Sequence, residues 1–167
     1  IKSNSLRYAG LFGYVGTGGT VKNLAVEGAV EGSLNGVTVR VGGVVGSNSG
    51  GTVETCSFTG DVSGTGINTS AYVGGVVGYN IGKVKNCCHT GQVTATASGT
   101  GTNLDAHAGG VVGENTGDFI SSSDGSTVNC YHMGTVTATG TGSGRKAAGG
   151  VVGYMFYATV SNCYFLQ

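Results

Sequence analysis

"YVGGVVGYNIGKVKNCCHTGQVTATASG", residues Tyr72–Gly99, decides the fold, because the chain writes close copies of it on either side. Its core, Gly74-Gly75-Val76-Val77-Gly78, returns at Gly42–Gly46, Gly109–Gly113 and Gly149–Gly153, and once as Ala9-Gly10-Leu11-Phe12-Gly13. A second block follows each core: "TVKNLAVEGAV" (Thr20–Val30), "TVETCSFTGDV" (Thr52–Val62), "KVKNCCHTGQV" (Lys83–Val93), "STVNCYHMGTV" (Ser126–Val136) and "TVSNCYFLQ" (Thr159–Gln167). Between the equivalent glycines Gly10, Gly43, Gly75, Gly110 and Gly150 the spacings are 33, 32, 35 and 40 residues. Periods of this length mark a stacked repeat architecture.

Aligned on the glycines, the copies form columns. One reads Val21, Val53, Val84, Thr127, Val160; the next reads Asn23, Thr55, Asn86, Asn129, Asn162; a third reads Leu24, Cys56, Cys87, Cys130, Cys163. Length varies only in polar, Gly/Ser/Thr-rich connectors such as Thr96–Ala106 and Gly117–Ser126, as expected of surface loops between core positions. The Val- and Thr-rich runs, broken by glycine, favour short strands, and no helical period is sustained. A single copy cannot bury its own apolar side chains, whereas stacked copies can, with each column in register along one axis. The sequence therefore predicts an all-β fold: a β-solenoid, as a right-handed parallel β-helix, of about five rungs with variable loops. With parallel strands about 4.8 Å apart, the stack stands roughly 20–25 Å tall. A propeller blade needs about 40–45 residues and a tryptophan signature, and this chain has no tryptophan. A transmembrane barrel needs aromatic girdles that are missing here. The glycines are expected to let rungs approach closely, and the asparagine column to satisfy buried backbone groups at a bend. Asn and Cys are neighbours, so both can face inward only if the strand bends between them.

Composition narrows the function. Charged residues make up 10% of the chain, and 8 basic residues balance 8 acidic ones. Nucleic-acid binding therefore has no electrostatic basis. No polybasic or amphipathic segment suggests a membrane surface, and no apolar run approaches the ~18 residues of a membrane insertion. Glycine is abundant at 35 residues but follows no triplet, which excludes collagen. The start, "IKSNSLRYAGLFG", lacks an initiator Met and a signal-peptide core, and reads as the cut edge of a longer polypeptide. Residues 1–167 are thus expected to be one repeat domain, with the remaining domains of the parent chain elsewhere.

At "GLFG" (Gly10–Gly13), "GGVVGSNSGGTVETCSFTGDVSG" (Gly42–Gly64) and "GGVVGYNIGKVKNCCHTGQV" (Gly74–Val93) the chain resembles the GLUG-motif repeat. The resemblance extends over nearly all of Tyr8–Gln167. The first copy keeps Leu11 and Phe12 between its glycines, the others carry Val-Val, and Phe119–Ser126 departs from the pattern as an insertion. The family's occurrence in large bacterial surface and secreted proteins, some adhesin-like, implies an extracellular or cell-surface location and a passive, extended architecture. It brings no catalytic residues to carry over.

Several constellations carry residue types capable of chemistry. The structural ladder Leu24, Cys56, Cys87, Cys130, Cys163 should hold buried, unbridged thiols, because in-register Cβ atoms about 4.8 Å apart miss the usual disulfide window. A straight column does not converge as a tetrahedral metal site requires, so no metal is expected. Cys88 breaks the column and is the expected exposed thiol. His89 and His132 share a column with Val26, Phe58 and Phe165, which reads as a stacked aromatic ladder. Beside Cys88 and Tyr131 the two histidines also suggest a metal site, the less favoured reading. The acids scatter over different columns, and only Asp118 and Asp124 share a loop, so no catalytic pair is expected. Thr-x-Thr runs at Val93–Thr102 and one rung on raise ice binding, but the earlier rungs place Glu31 and Ser33 there. The candidate ligand or partner face is the column before the glycine pairs, Tyr8, Arg40, Tyr72, His107 and Ala147, an aromatic and basic stripe suited to sugars or proteins. The resulting expectation is a structural or adhesive segment, a stalk or binding scaffold, with no enzymatic activity and no cofactor, and with a glycan or host protein as partner. The alternative is a carbohydrate-binding or carbohydrate-processing β-helix module using the stripe or the Asp118–Asp124 loop. A third reading is a fibre unit pairing through unsatisfied strand edges at its ends.

Overall fold

The computed structural model of the chain describes residues 1–117 and 125–167. Among these residues there is no helix, and each short strand pairs in parallel with its counterpart one turn away. Four faces result. The first holds Tyr8–Ala9, Val39–Gly42, Ala71–Gly74, Ala106–Gly109 and Lys146–Gly149. The second holds Phe12–Val15, Val45–Asn48, Val77–Asn80, Val112–Thr116 and Val152–Phe156. The third begins with Thr20–Glu27 and Thr52–Thr59, and in later turns splits into paired pieces such as Lys83–Lys85 and Cys88–Thr90. The fourth holds Lys2–Ser3, Val30–Asn35, Val62–Ile67, Val93–Ser98 and Val136–Gly140. The fold is a parallel β-solenoid of about five turns, as the repeat predicts.

The columns read from the sequence are the observed registers. Val53 pairs with Val21 and Val84, and Thr127 with Val84 and Val160. Tyr8, Arg40, Tyr72, His107 and Ala147 stand in one line, as do Val26, Phe58, His89, His132 and Phe165. On the fourth face the strands alternate strictly: Val93, Ala95 and Ala97 are buried while Thr94, Thr96 and Ser98 are not. The interior is an apolar pillar of stacked Val, Ala, Cys and Phe.

The corners carry most of the sequence-specific information. Between the first and second faces, a Cβ placed on Gly43, Gly75, Gly110 or Gly150 would run into the rings of Phe58, His89, His132 and Phe165 respectively. Only glycine lets that corner close over an interior aromatic column. The third face turns in its middle at Asn23, Thr55, Asn86, Asn129 and Asn162, whose φ angles are 58°, 53°, 56°, 53° and 52°. These residues are exposed, which corrects the expectation that this column satisfies buried backbone groups. Asparagine is there because it tolerates the left-handed conformation better than other residues with a Cβ. The turn also resolves the adjacency of Asn and Cys: the strand bends at Asn, so Asn stays outside while Cys56, Cys87 and Cys130 go in.

A different asparagine column takes the buried role. Asn48, Asn80 and Asn115 are fully enclosed where the second face turns into the third. Asn48 Nδ2 donates to Asn80 Oδ1 at 2.8 Å, and Asn80 Nδ2 to Asn115 Oδ1 at 2.7 Å. The same side chains close the corner through bonds to the Gly51 and Gly82 carbonyls at 3.1 and 2.9 Å. The Nδ2 group of each amide thus donates both along the stack and within its own turn.

Candidate functional site

The predicted stripe is one half of a double column. Across the glycine corner, Tyr14, Ser47, Tyr79, Glu114 and Tyr154 form a second line beside it. The two lines interlock by stacking. Tyr72 lies 5.0 Å from His107 and 6.2 Å from Tyr79, and His107 lies 4.5 Å from Tyr154, centroid to centroid. The Arg40 guanidinium sits 3.7 Å over the Tyr79 ring and 5.6 Å from that of Tyr8, and donates to Ser47 Oγ at 3.3 Å. His107 Nδ1 meets Glu114 Oε2 at 2.8 Å, and Glu114 Oε1 accepts from Thr116 Oγ1 at 3.2 Å. Burial, reinforced by the charges of Glu114 and Asp105, pushes the Tyr72 phenol up to about 12. Burial also raises that of Tyr79.

This packing decides what the stripe can do. A sugar stacks on an open aromatic face, but Tyr72, Tyr79 and Tyr154 give their faces to each other, to His107 and to arginine. His107 is buried. What the corner offers a partner is ring edges and phenolic hydroxyls, with Tyr14 at 56% exposure the most open ring. Arg145 extends the line, donating from Nη1 to the Tyr154 hydroxyl at 3.1 Å. The second line was not singled out from the sequence. Its signal is a constant offset of seven residues from the first (Arg40 to Ser47, Tyr72 to Tyr79, His107 to Glu114). The first turn is one residue shorter there and runs from Tyr8 to Tyr14.

The His column lies wholly inside. His89 and His132 stack at 4.9 Å between Phe58 and Phe165. His89 Nε2 donates to the Gly60 carbonyl at 2.8 Å, and in the neutral ring its Nδ1 accepts from His132 Nδ1, 3.0 Å away. Burial holds His89 down at about 4 and lowers His132 as well. Cys88 and Tyr131 pair on the outward side of the same strands, away from the imidazoles.

The remaining candidates separate. Cys56, Cys87, Cys130 and Cys163 carry free thiols in one interior line, with Leu24 beside Cys56 at its head. Outside the bend, a shallow depression of about 310 Å³ is lined by Asn23, Leu24, Ala25, Thr55, Cys56, Ser57, Asn86 and Cys88. Four acids are engaged locally: Glu31 with Lys2 and Glu54 with Lys85, both at 3.0 Å, Asp61 with the Gln92 amide at 3.0 Å and Asp105 with the Arg145 amide at 2.6 Å. Asp118 and Asp124 lie outside the described residues. Thr96 and Thr139 touch through their hydroxyls at 3.3 Å, but the line continues to Thr65 and then Ser33. Among the described residues no group of three or more His, Cys, Asp or Glu is placed to hold a metal ion.

Residues 38–63, close to one full turn, match the family model described as the GLUG motif. No curated protein and no solved structure matches the chain. The matched segment runs from the first-face strand Val39–Gly42, over the glycine corner and the asparagine turn, to Val62. The match covers one turn of the solenoid, and the other turns stand in register with it.

Proposed function

We propose that the chain is a non-catalytic repeat scaffold, a stalk- or adhesin-type segment of a bacterial surface or secreted protein. The observation that carries this reading is where the distinctive side chains are spent. Aromatic, imidazole and amide groups are stacked on or bonded to their equivalents one turn away, and Arg40 and Glu114 are taken up by Tyr79 and His107 within the corner stripe. Side chains used this way stiffen an axis. Among the described residues the carboxylates are taken up in separate local pairs rather than set as two across a cleft, the arrangement that hydrolysis of a glycan on a solenoid face would need. Recognition, where it occurs, falls on the glycine corner, where Tyr14, Tyr154 and Arg145 present edges and hydroxyls to a glycan or an extended protein segment.

The deciding experiment incubates folded residues 1–167 with a glycan array, a panel of extracellular matrix proteins and soluble polysaccharides, beside a Tyr14→Ala/Arg145→Ala variant. Saturable binding lost in the variant supports an adhesive segment, and absence of both binding and turnover supports a spacer. Release of oligosaccharides by the wild-type chain defeats the scaffold reading and favours a carbohydrate-processing module.

A further inference from the structure

The cysteine column has a feature that packing alone does not require. Each thiol donates to the carbonyl two residues before it, Cys56 to Glu54, Cys87 to Lys85, Cys130 to Val128 and Cys163 to Ser161, all at 3.2 Å. Identical bonds place the four sulfurs alike in their turns, so they repeat along the solenoid axis. The backbone amides point into the same line: Cys87 N–H donates to Cys130 Sγ at 3.5 Å, and Cys130 N–H to Cys163 Sγ at 3.4 Å. An amide donating to sulfur favours the thiolate. Cys56, Cys87 and Cys130 are at most 1% exposed.

We propose that this column binds soft univalent metal ions of the Cu(I) type, each held linearly between the thiolates of two successive turns. Four collinear sulfurs cannot surround a tetrahedral zinc ion. A d10 univalent ion is satisfied by two opposed soft ligands, and thiolate is the ligand such ions select. Turns repeat about every 4.8 Å. An ion midway between two sulfurs then lies about 2.4 Å from each, close to the ~2.3 Å of a metal–thiolate bond. The binding step is an exchange without redox change: Cu⁺ and two thiols give a bis-thiolate complex of net charge −1 and two released protons. The Cys87 and Cys130 amides remain as donors to that charge.

The test uses the folded chain, titrated with Cu(I) kept reduced under ascorbate and, separately, with Ag(I), and followed by native mass spectrometry, near-ultraviolet absorbance and proton release. We expect one to three ions per chain, two protons released for the first, a thiolate-to-metal absorption band, and a rise in Tm. A Cys88→Ser variant should bind equally, since Cys88 faces outward. Cys87→Ser/Cys130→Ser keeps a donor toward the Lys85 and Val128 carbonyls but leaves no two thiols on successive turns, and should bind no ion in the column. Uptake abolished by Cys88→Ser, uptake unchanged in the double variant, or metal that binds without proton release would each overturn the proposal. Should the double variant fail to fold, wild-type chain with Cys88 alkylated under native conditions gives the same decision: no band and no bound ion refute it.

Discussion

Lowering the pH from 7.5 to 5.0 should destabilise the solenoid through one buried ring. His89 is fully enclosed, stacked between Phe58 and His132, with Gly75 and Gly110 closing the corner over the two imidazoles. Its pKa is depressed by burial to about 4, against about 6.5 in an unfolded chain. A depressed histidine binds protons less readily folded than unfolded. Its contribution is therefore complete above pH 6.5, falls as the pH drops toward 4, and falls no further below that. Over the range to pH 5.0 the linkage relation gives a loss of about 2 kcal/mol. His132, lowered by burial too, acts in the same direction, while Asp61 nearby opposes part of the shift in His89. Urea unfolding at the two pH values, monitored by far-ultraviolet circular dichroism, measures the loss directly. The control is His89→Phe/His132→Phe, which extends the Phe58 and Phe165 precedent along the column. That variant forfeits the Gly60 bond, worth about 1 kcal/mol, but its stability should be nearly flat between pH 7.5 and 5.0. An equal pH-dependent loss in the variant, or none in the wild type, would refute the argument.

Two further outcomes test the corners. Asn80→Ala removes the middle of the buried amide ladder, stranding the donor of Asn48 and the acceptor of Asn115; urea unfolding should show a loss of about 3 kcal/mol or more, since each orphaned buried group costs about 1–3 kcal/mol. Asn86 is exposed at φ 56°, so Asn86→Gly should change Tm little, whereas Asn86→Val should cost about 1–2 kcal/mol for forcing a β-branched residue into the left-handed region.

The periodicity was sufficient for the architecture. A parallel stack with one copy per turn has only one register that superposes Val on Val and Cys on Cys. For that reason the columns through Val53, Phe58, Tyr72 and Cys56 could be written down from the glycine spacing alone. Periodicity does not say which way a column faces at a bend, because direction depends on where the backbone leaves the strand conformation. Asn86 and Asn80 are the same residue type in equally regular columns. One supplies a left-handed turn in solvent and the other a buried hydrogen-bond ladder. The loop Asp118–Asp124, another sequence candidate, lies outside the described residues.

The stripe shows the same division. Its first line, Tyr8 to His107, is sequence-periodic and legible. Its second line, and the loss of ring faces to mutual stacking, follow from the angle at which two faces meet across Gly42–Gly46, a quantity no column contains. The sequence by itself determined how often the chain turns and which residues lie above one another, because identical copies are best satisfied by identical neighbours. Only the tertiary structure decided which columns are buried, which side chains meet across a corner, and what is left exposed for a partner, because those depend on closing four faces around one interior.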